Sequence, residues 1–131
     1  MLFACNSRPY EREKELYNLL EDICGECRPV KGFLFLLVED VCSSCQHEDI
    51  QQLKLKAMKS AINILIITTD STAVGQLKDL ENIEVVFCPL RKIQASGVSQ
   101  ASSFVFEFND SQIIDWLLVN DNTMKKIGKK L

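Results

Sequence analysis

Apolar and polar residues follow two different periods along this chain, and the places where the period changes divide it into elements. Leu16, Leu19, Leu20, Ile23 and Cys27 recur three to four residues apart, the spacing of a helix that buries one stripe. Ser7 or Asn6 can cap that helix, and Pro9 suits its first turn, where a missing N–H costs nothing. Glu11, Glu13 and Glu15 stand at the positive end of its dipole, and Gly25, Arg28 and Pro29 stop it. Residues 32–38, GFLFLLV, show no polar alternation, which is the pattern of a strand buried on both faces at the centre of a parallel sheet. Ile50, Leu53, Ala57 and Met58 then mark the buried stripe of a second helix over 46–59. Residues 62–67, INILII, are another doubly buried strand, Thr69-Asp70-Ser71 opens a shorter helix to about Leu80, and residues 83–88, IEVVFC, are a third strand.

Beyond Cys88 the pattern changes. Residues 89–102 are rich in Ser and Gln and predict a loop with one helical turn. Phe104, Phe106 and Phe108 alternate with Val105 and Glu107, which predicts a strand with one better-buried face. Asn109-Asp110-Ser111-Gln112 supplies turn chemistry, and residues 113–119 run back. Asn122 or Thr123 caps a last short helix. Strands alternating with helices and then a hairpin require an α/β fold, in which a mixed sheet has a parallel centre, a C-terminal antiparallel hairpin and helices on both faces.

A length of 131 residues suits one domain with a full core, over residues 9–131. A net charge of −3 gives no nucleic-acid surface, and Lys125, Lys126, Lys129 and Lys130 complement the dipole of a terminal helix. No apolar stretch reaches the length of a membrane span. The five glycines are scattered, so there is no phosphate-binding loop. His47 is the single histidine and sits about 140° and 200° around an ideal helix from Cys42 and Cys45. A surface position suits it, and most Cys/His hydrolase schemes are removed.

Six cysteines point to an oxidising compartment, a redox role or a metal. Cys42-Ser43-Ser44-Cys45 falls between the 32–38 strand and the 46–59 helix. A helix N-terminus offers free N–H groups and a partial positive charge, which favour a thiolate. Cys42 is therefore the expected attacking thiol and Cys45 the resolving one, although Glu39 and Asp40 oppose the dipole. Cys24-Gly25-Glu26-Cys27 lies at a helix C-terminus, where a thiolate is disfavoured. That pair reads as a buried helix-end thiol with an exposed neighbour, as a local disulfide, or as a second redox pair. Cys88 reads as a core thiol and Trp116 as hairpin core. Together the two pairs give C-x2-C-x14-C-x2-C, close to a zinc pattern. The spacer contains a strand of roughly 23 Å, so the four sulfurs are expected too far apart for one ion, and no metal is assigned.

The element order, with C-x-x-C opening the helix after the first strand, resembles the thioredoxin superfamily, in particular the thioredoxin-like thiol–disulfide proteins of the bacterial envelope. The likeness spans roughly residues 30–131, with the sequence match concentrated at 33–45 and 102–110. It implies disulfide exchange with partner proteins through Cys42 and Cys45, without a bound cofactor. In that family a cis-proline faces the disulfide; the matching positions here are Ser102 and Ser103, which are expected to lie beside Cys42 and to receive a docked chain. Leu2-Phe3-Ala4-Cys5 resembles the end of a bacterial lipoprotein signal, so residues 1–8 read as a tether or signal remnant with Cys5 as the lipidated residue. The expected location is the bacterial envelope, with the cytoplasm as alternative. Two other functions remain open: a non-catalytic thioredoxin-like binding or structural domain, and a zinc-stabilised interaction module using Cys24, Cys27, Cys42 and Cys45.

Overall fold

The computed structural model describes residues 10–38, 62–69, 81–100 and 102–119. Within them the order is α1 (Glu13–Cys24), β1 (Gly32–Leu37), β2 (Ile64–Thr68), β3 (Ile83–Phe87), α2 (Leu90–Ser96), β4 (Phe104–Asn109) and β5 (Gln112–Leu118). The five strands form one sheet in the order β3-β2-β1-β4-β5. β1 lies parallel to β2, with Phe35 opposite Ile66, and β2 lies parallel to β3. On its other side β1 pairs antiparallel with β4, with Leu34 opposite Phe106, and β4 and β5 form the expected antiparallel hairpin. The expected α/β class and mixed sheet with a parallel centre are present. The helices expected at 46–59, at 69–80 and at the C-terminus lie outside the described residues.

β1 is central because every side chain in it is apolar or absent, and all six of its residues are buried. Successive side chains point to opposite faces, so the strand feeds two separate clusters. Leu34, Leu36, Leu65, Ile67, Phe106 and Phe108 meet Leu16, Leu19 and Leu20 of α1 and Ile93 of α2. Phe33, Phe35, Leu37, Ile64, Ile66, Ile83 and Val105 form the second cluster on the opposite face. Burying each such side chain contributes about 1.5–3 kcal/mol. Both described helices sit on the first face, tied together by the Lys92–Asp22 ion pair at 3.0 Å.

Four expectations change in detail. α1 begins at Glu13 rather than near Pro9 and ends at Cys24, so Cys27 lies beyond the helical stripe. The start is displaced because Tyr10 is committed elsewhere: its ring meets Phe106 edge-on at 4.8 Å and Trp116 at 5.6 Å. Residues 90–96, expected as little more than a turn, are a seven-residue helix with Pro89 at its N-cap and Gly97, left-handed at φ 85°, at its C-cap. β4 is buried on both faces along much of its length, because Val105 reaches the second cluster. The β4–β5 turn is tighter than expected. Asn109 pairs with Gln112, leaving only Asp110 and Ser111, at φ 52° and 64°, to make the reversal. Positive φ at both central residues is the signature of the hairpin turn whose twist matches the strands.

The close approach of β1 to the residue before β2 depends on Gly32. Its φ is 134°, and a Cβ there would overlap the Asn63 carbonyl oxygen. That carbonyl accepts the Phe33 N–H at 3.0 Å.

Candidate functional site

α1 stops because its last turn runs into Cys24-Gly25-Glu26-Cys27, with the Gly25 N–H closing on the Glu21 carbonyl at 3.2 Å. The chain folds back over two exposed residues, and Cys24 and Cys27 are joined by a disulfide, with their Cα atoms 5.5 Å apart. Of the readings open for this pair, the disulfide is the one observed. Both cysteines are half-buried and pack on the α1 side of the core.

The segment after Cys27 is fixed by its neighbours. The Arg28 guanidinium lies 3.5 Å over the centre of the Tyr17 ring, and Arg28 Nε donates to the Ser111 carbonyl at 2.6 Å. The Ser111 N–H donates to the Val30 carbonyl at 2.9 Å. Tyr17 completes this junction: its hydroxyl donates to Glu13 Oε1 at 2.6 Å and accepts from the Ile113 N–H at 3.0 Å. Burial and the Glu13 hydrogen bond both push the Tyr17 pKa up. The disulfide therefore stands beside a linker clamped to the hairpin turn.

The opposite end of β1 is the second region of interest. The Ser103 hydroxyl accepts from the Val38 N–H at 2.7 Å and donates to the Val38 carbonyl at 3.3 Å, while the Ser103 carbonyl accepts from Val119 N–H at 2.9 Å. Ser99 performs a similar closure on Ser102, accepting its N–H at 3.0 Å and donating to its carbonyl at 2.6 Å. The Ser102–Ser103 peptide is trans, as no cis bond occurs among the described residues. The Ser103 carbonyl, one of the backbone groups expected to face a docked chain, is thus engaged within the protein, as are the N–H and carbonyl of Ser102. Cys88 ends up near this same edge, fully buried and free, with its N–H on the Thr68 carbonyl at 2.9 Å. Burial pushes its thiol pKa up, only partly offset by Lys92, so it is suited to a core position rather than to nucleophilic work.

The candidate residues thus separate by location. Cys24 and Cys27 come together before the amino end of β1, and Ser103 sits at its carboxyl end. Cys5, Cys42, Cys45 and His47 lie outside the described residues. Sequence reasoning missed Ser99, although a loop serine is a known local turn former. It also missed the clamping role of Arg28, for which no local signal exists, because its partners lie in α1 and in a turn 83 residues away. Comparison with known proteins finds no family model, no curated protein and no solved structure that matches this chain.

Proposed function

We propose that this chain exchanges disulfides with partner proteins through Cys42 and Cys45, as a thioredoxin-like domain of the bacterial envelope. The observation that carries the reading is the Cys24–Cys27 bridge: this chain holds a C-x-x-C spacing as a disulfide, and the same spacing recurs at Cys42–Cys45. The topology supports it further. Cys42 follows Val38 by four residues in sequence, so the pair belongs to the segment leaving the carboxyl end of the central parallel strand. In open α/β sheets, binding and chemistry collect beyond those ends. The Cys42 thiolate attacks a partner disulfide, forming a mixed disulfide and expelling one partner thiolate. Cys45 then attacks Cys42, expels the second thiolate and leaves Cys42–Cys45 oxidised. Cys5 serves as the lipid-bearing residue in this reading, and no bound cofactor takes part.

A specific observation favours a second reading, that of a non-catalytic binding domain: the trans Ser102–Ser103 peptide and the internal bonds of both serines leave less backbone for a substrate. The zinc alternative would require Cys24 and Cys27 in the reduced state, since the bridge occupies both sulfurs.

Rate-resolved alkylation of the reduced protein, read by mass spectrometry, separates these. Disulfide exchange predicts that Cys42 labels fastest near neutral pH and that Cys42→Ser abolishes reduction of a protein disulfide. Equal, slow labelling of Cys42 and Cys88, with exchange unchanged in Cys42→Ser, would remove the proposal. Retention of one zinc per reduced chain would favour the interaction module.

A further inference from the structure

Cys27 forms part of the wall of an open groove of about 450 Å3 along the amino ends of β1, β2 and β3. Val30, Lys31, Asn63, Glu81 and Glu84 line it as well, whereas Cys24 does not. Val30 is 65% exposed, an apolar contact left at the rim. β3, which carries Ile83 and Glu84 into the groove, pairs only with β2 among the described residues. The two cysteines of the bridge therefore differ in setting: Cys27 lines an accessible, partly acidic groove and Cys24 does not.

We propose that Cys24–Cys27 is a second redox couple, in which an extended partner segment lying in this groove exchanges its disulfide at the Cys27 sulfur. Three observations support a working couple over a structural staple. A bridge over two intervening residues constrains the unfolded chain least, so it contributes little as a staple. Gly25 and Glu26 between the sulfurs are exposed. The groove also brings an incoming group alongside Cys27.

In the reduced state the Cys27 thiolate attacks the partner disulfide, so that a Cys27–partner bond forms and one partner thiolate leaves. The Cys24 thiolate then attacks Cys27, the mixed disulfide breaks, and the second partner thiolate leaves. The two protons of the cysteines end on the two partner thiols, and two electrons pass to the partner. A dithiol protein reverses the sequence. Cys24 closes a helix C-terminus, whose partial negative charge disfavours its thiolate. The bridged state is therefore the preferred one, and the couple acts as an electron donor. Glu81 and Glu84 outnumber Lys31 in the groove, so a disulfide flanked by positive charge is the better substrate.

The test uses the full chain with Cys42 and Cys45 both changed to Ser, so that failure of the Cys42–Cys45 reading cannot be mistaken for failure here. In that background, Cys24→Ser is incubated with cystamine, a dicationic disulfide, and with anionic glutathione disulfide. Peptide mapping should find the cysteamine adduct at Cys27, formed about tenfold faster than the adduct at Cys24 in the Cys27→Ser counterpart. It should also form faster than the glutathione adduct, with the preference lost in Glu81→Gln/Glu84→Gln. Equal rates at the two sulfurs would overturn the proposal. Should Cys24→Ser fail to fold, the bridge of the parent is reduced with dithiothreitol while far-UV circular dichroism is followed. Opening without loss of structure supports the couple. Opening only at the rate of global unfolding marks a structural staple and ends the proposal.

Discussion

Replacing Gly32 by Ala probes the closest approach in the sheet. The backbone there has φ 134°, and the added Cβ would overlap the Asn63 carbonyl oxygen and lie 3.1 Å from its carbon. Both of those are main-chain atoms, so no side chain can rotate away. Adopting that conformation with a Cβ costs about 1–3 kcal/mol. Displacing Asn63 weakens the Phe33 N–H bond to its carbonyl, for about 1 kcal/mol more. The expected destabilisation is about 3 kcal/mol, a shift of about 1–2 M in the urea midpoint. Gly97→Ala is the comparison. Its φ is 85°, but the nearest atoms to an added Cβ are flexible side-chain atoms at 3.7 Å, so only the conformational cost of about 1–2 kcal/mol applies. Urea unfolding of both variants gives the ranking, and amide exchange at Phe33 should show loss of protection in Gly32→Ala alone. If Gly32→Ala costs no more than Gly97→Ala, the close approach of Gly32 to the Asn63 carbonyl does not constrain the sheet.

Tyr10 gives a pH signature. Burial raises its pKa from 10.0 to about 12, so the stability it contributes is complete below pH 10 and is lost as pH climbs through 12, about 3 kcal/mol in all. Tyr10→Phe should flatten that alkaline loss, read by unfolding at each pH with phenolate absorbance as the titration monitor. Ser103→Ala removes both hydroxyl contacts with Val38 and leaves a nearly buried N–H without that acceptor, for about 1–3 kcal/mol by urea unfolding. A loss below about 0.5 kcal/mol would mean that the Val38 N–H is satisfied otherwise.

The strands were legible where the sequence allowed only one burial pattern. Six consecutive buried residues in β1 and five in β2 cannot face water on either side, which forces a central position. β3 was read as a strand, but its place at the end of the described sheet goes with Glu84 and Phe87, which stay exposed. The α2 helix escaped because Ile93 is its one fully buried residue, too few to set a period; Pro89 and Gly97 at its ends were the better signal. Val105 was overlooked because three phenylalanines suggested a single apolar face. For the Cys24 pair, spacing alone left several states open, and the local fold of Gly25 and Glu26 decided among them. The position of Ser103 follows from topology, but its hydroxyl contacts with Val38 do not, since no local pattern encodes a partner 65 residues away.

The pairing of β1 with β4 has a consequence for how the chain is made. β1 leaves the ribosome well before its neighbour on one side, which is encoded about seventy residues later, so Leu34 meets Phe106 only after that whole intervening stretch has been made. Until then GFLFLL, an all-apolar strand, exposes one open edge that any other extended chain can occupy. Closure over so long a span also slows folding. The nascent chain therefore has a window in which a chaperone is of most use, and that window closes when the hairpin turn at Asp110–Ser111 has formed.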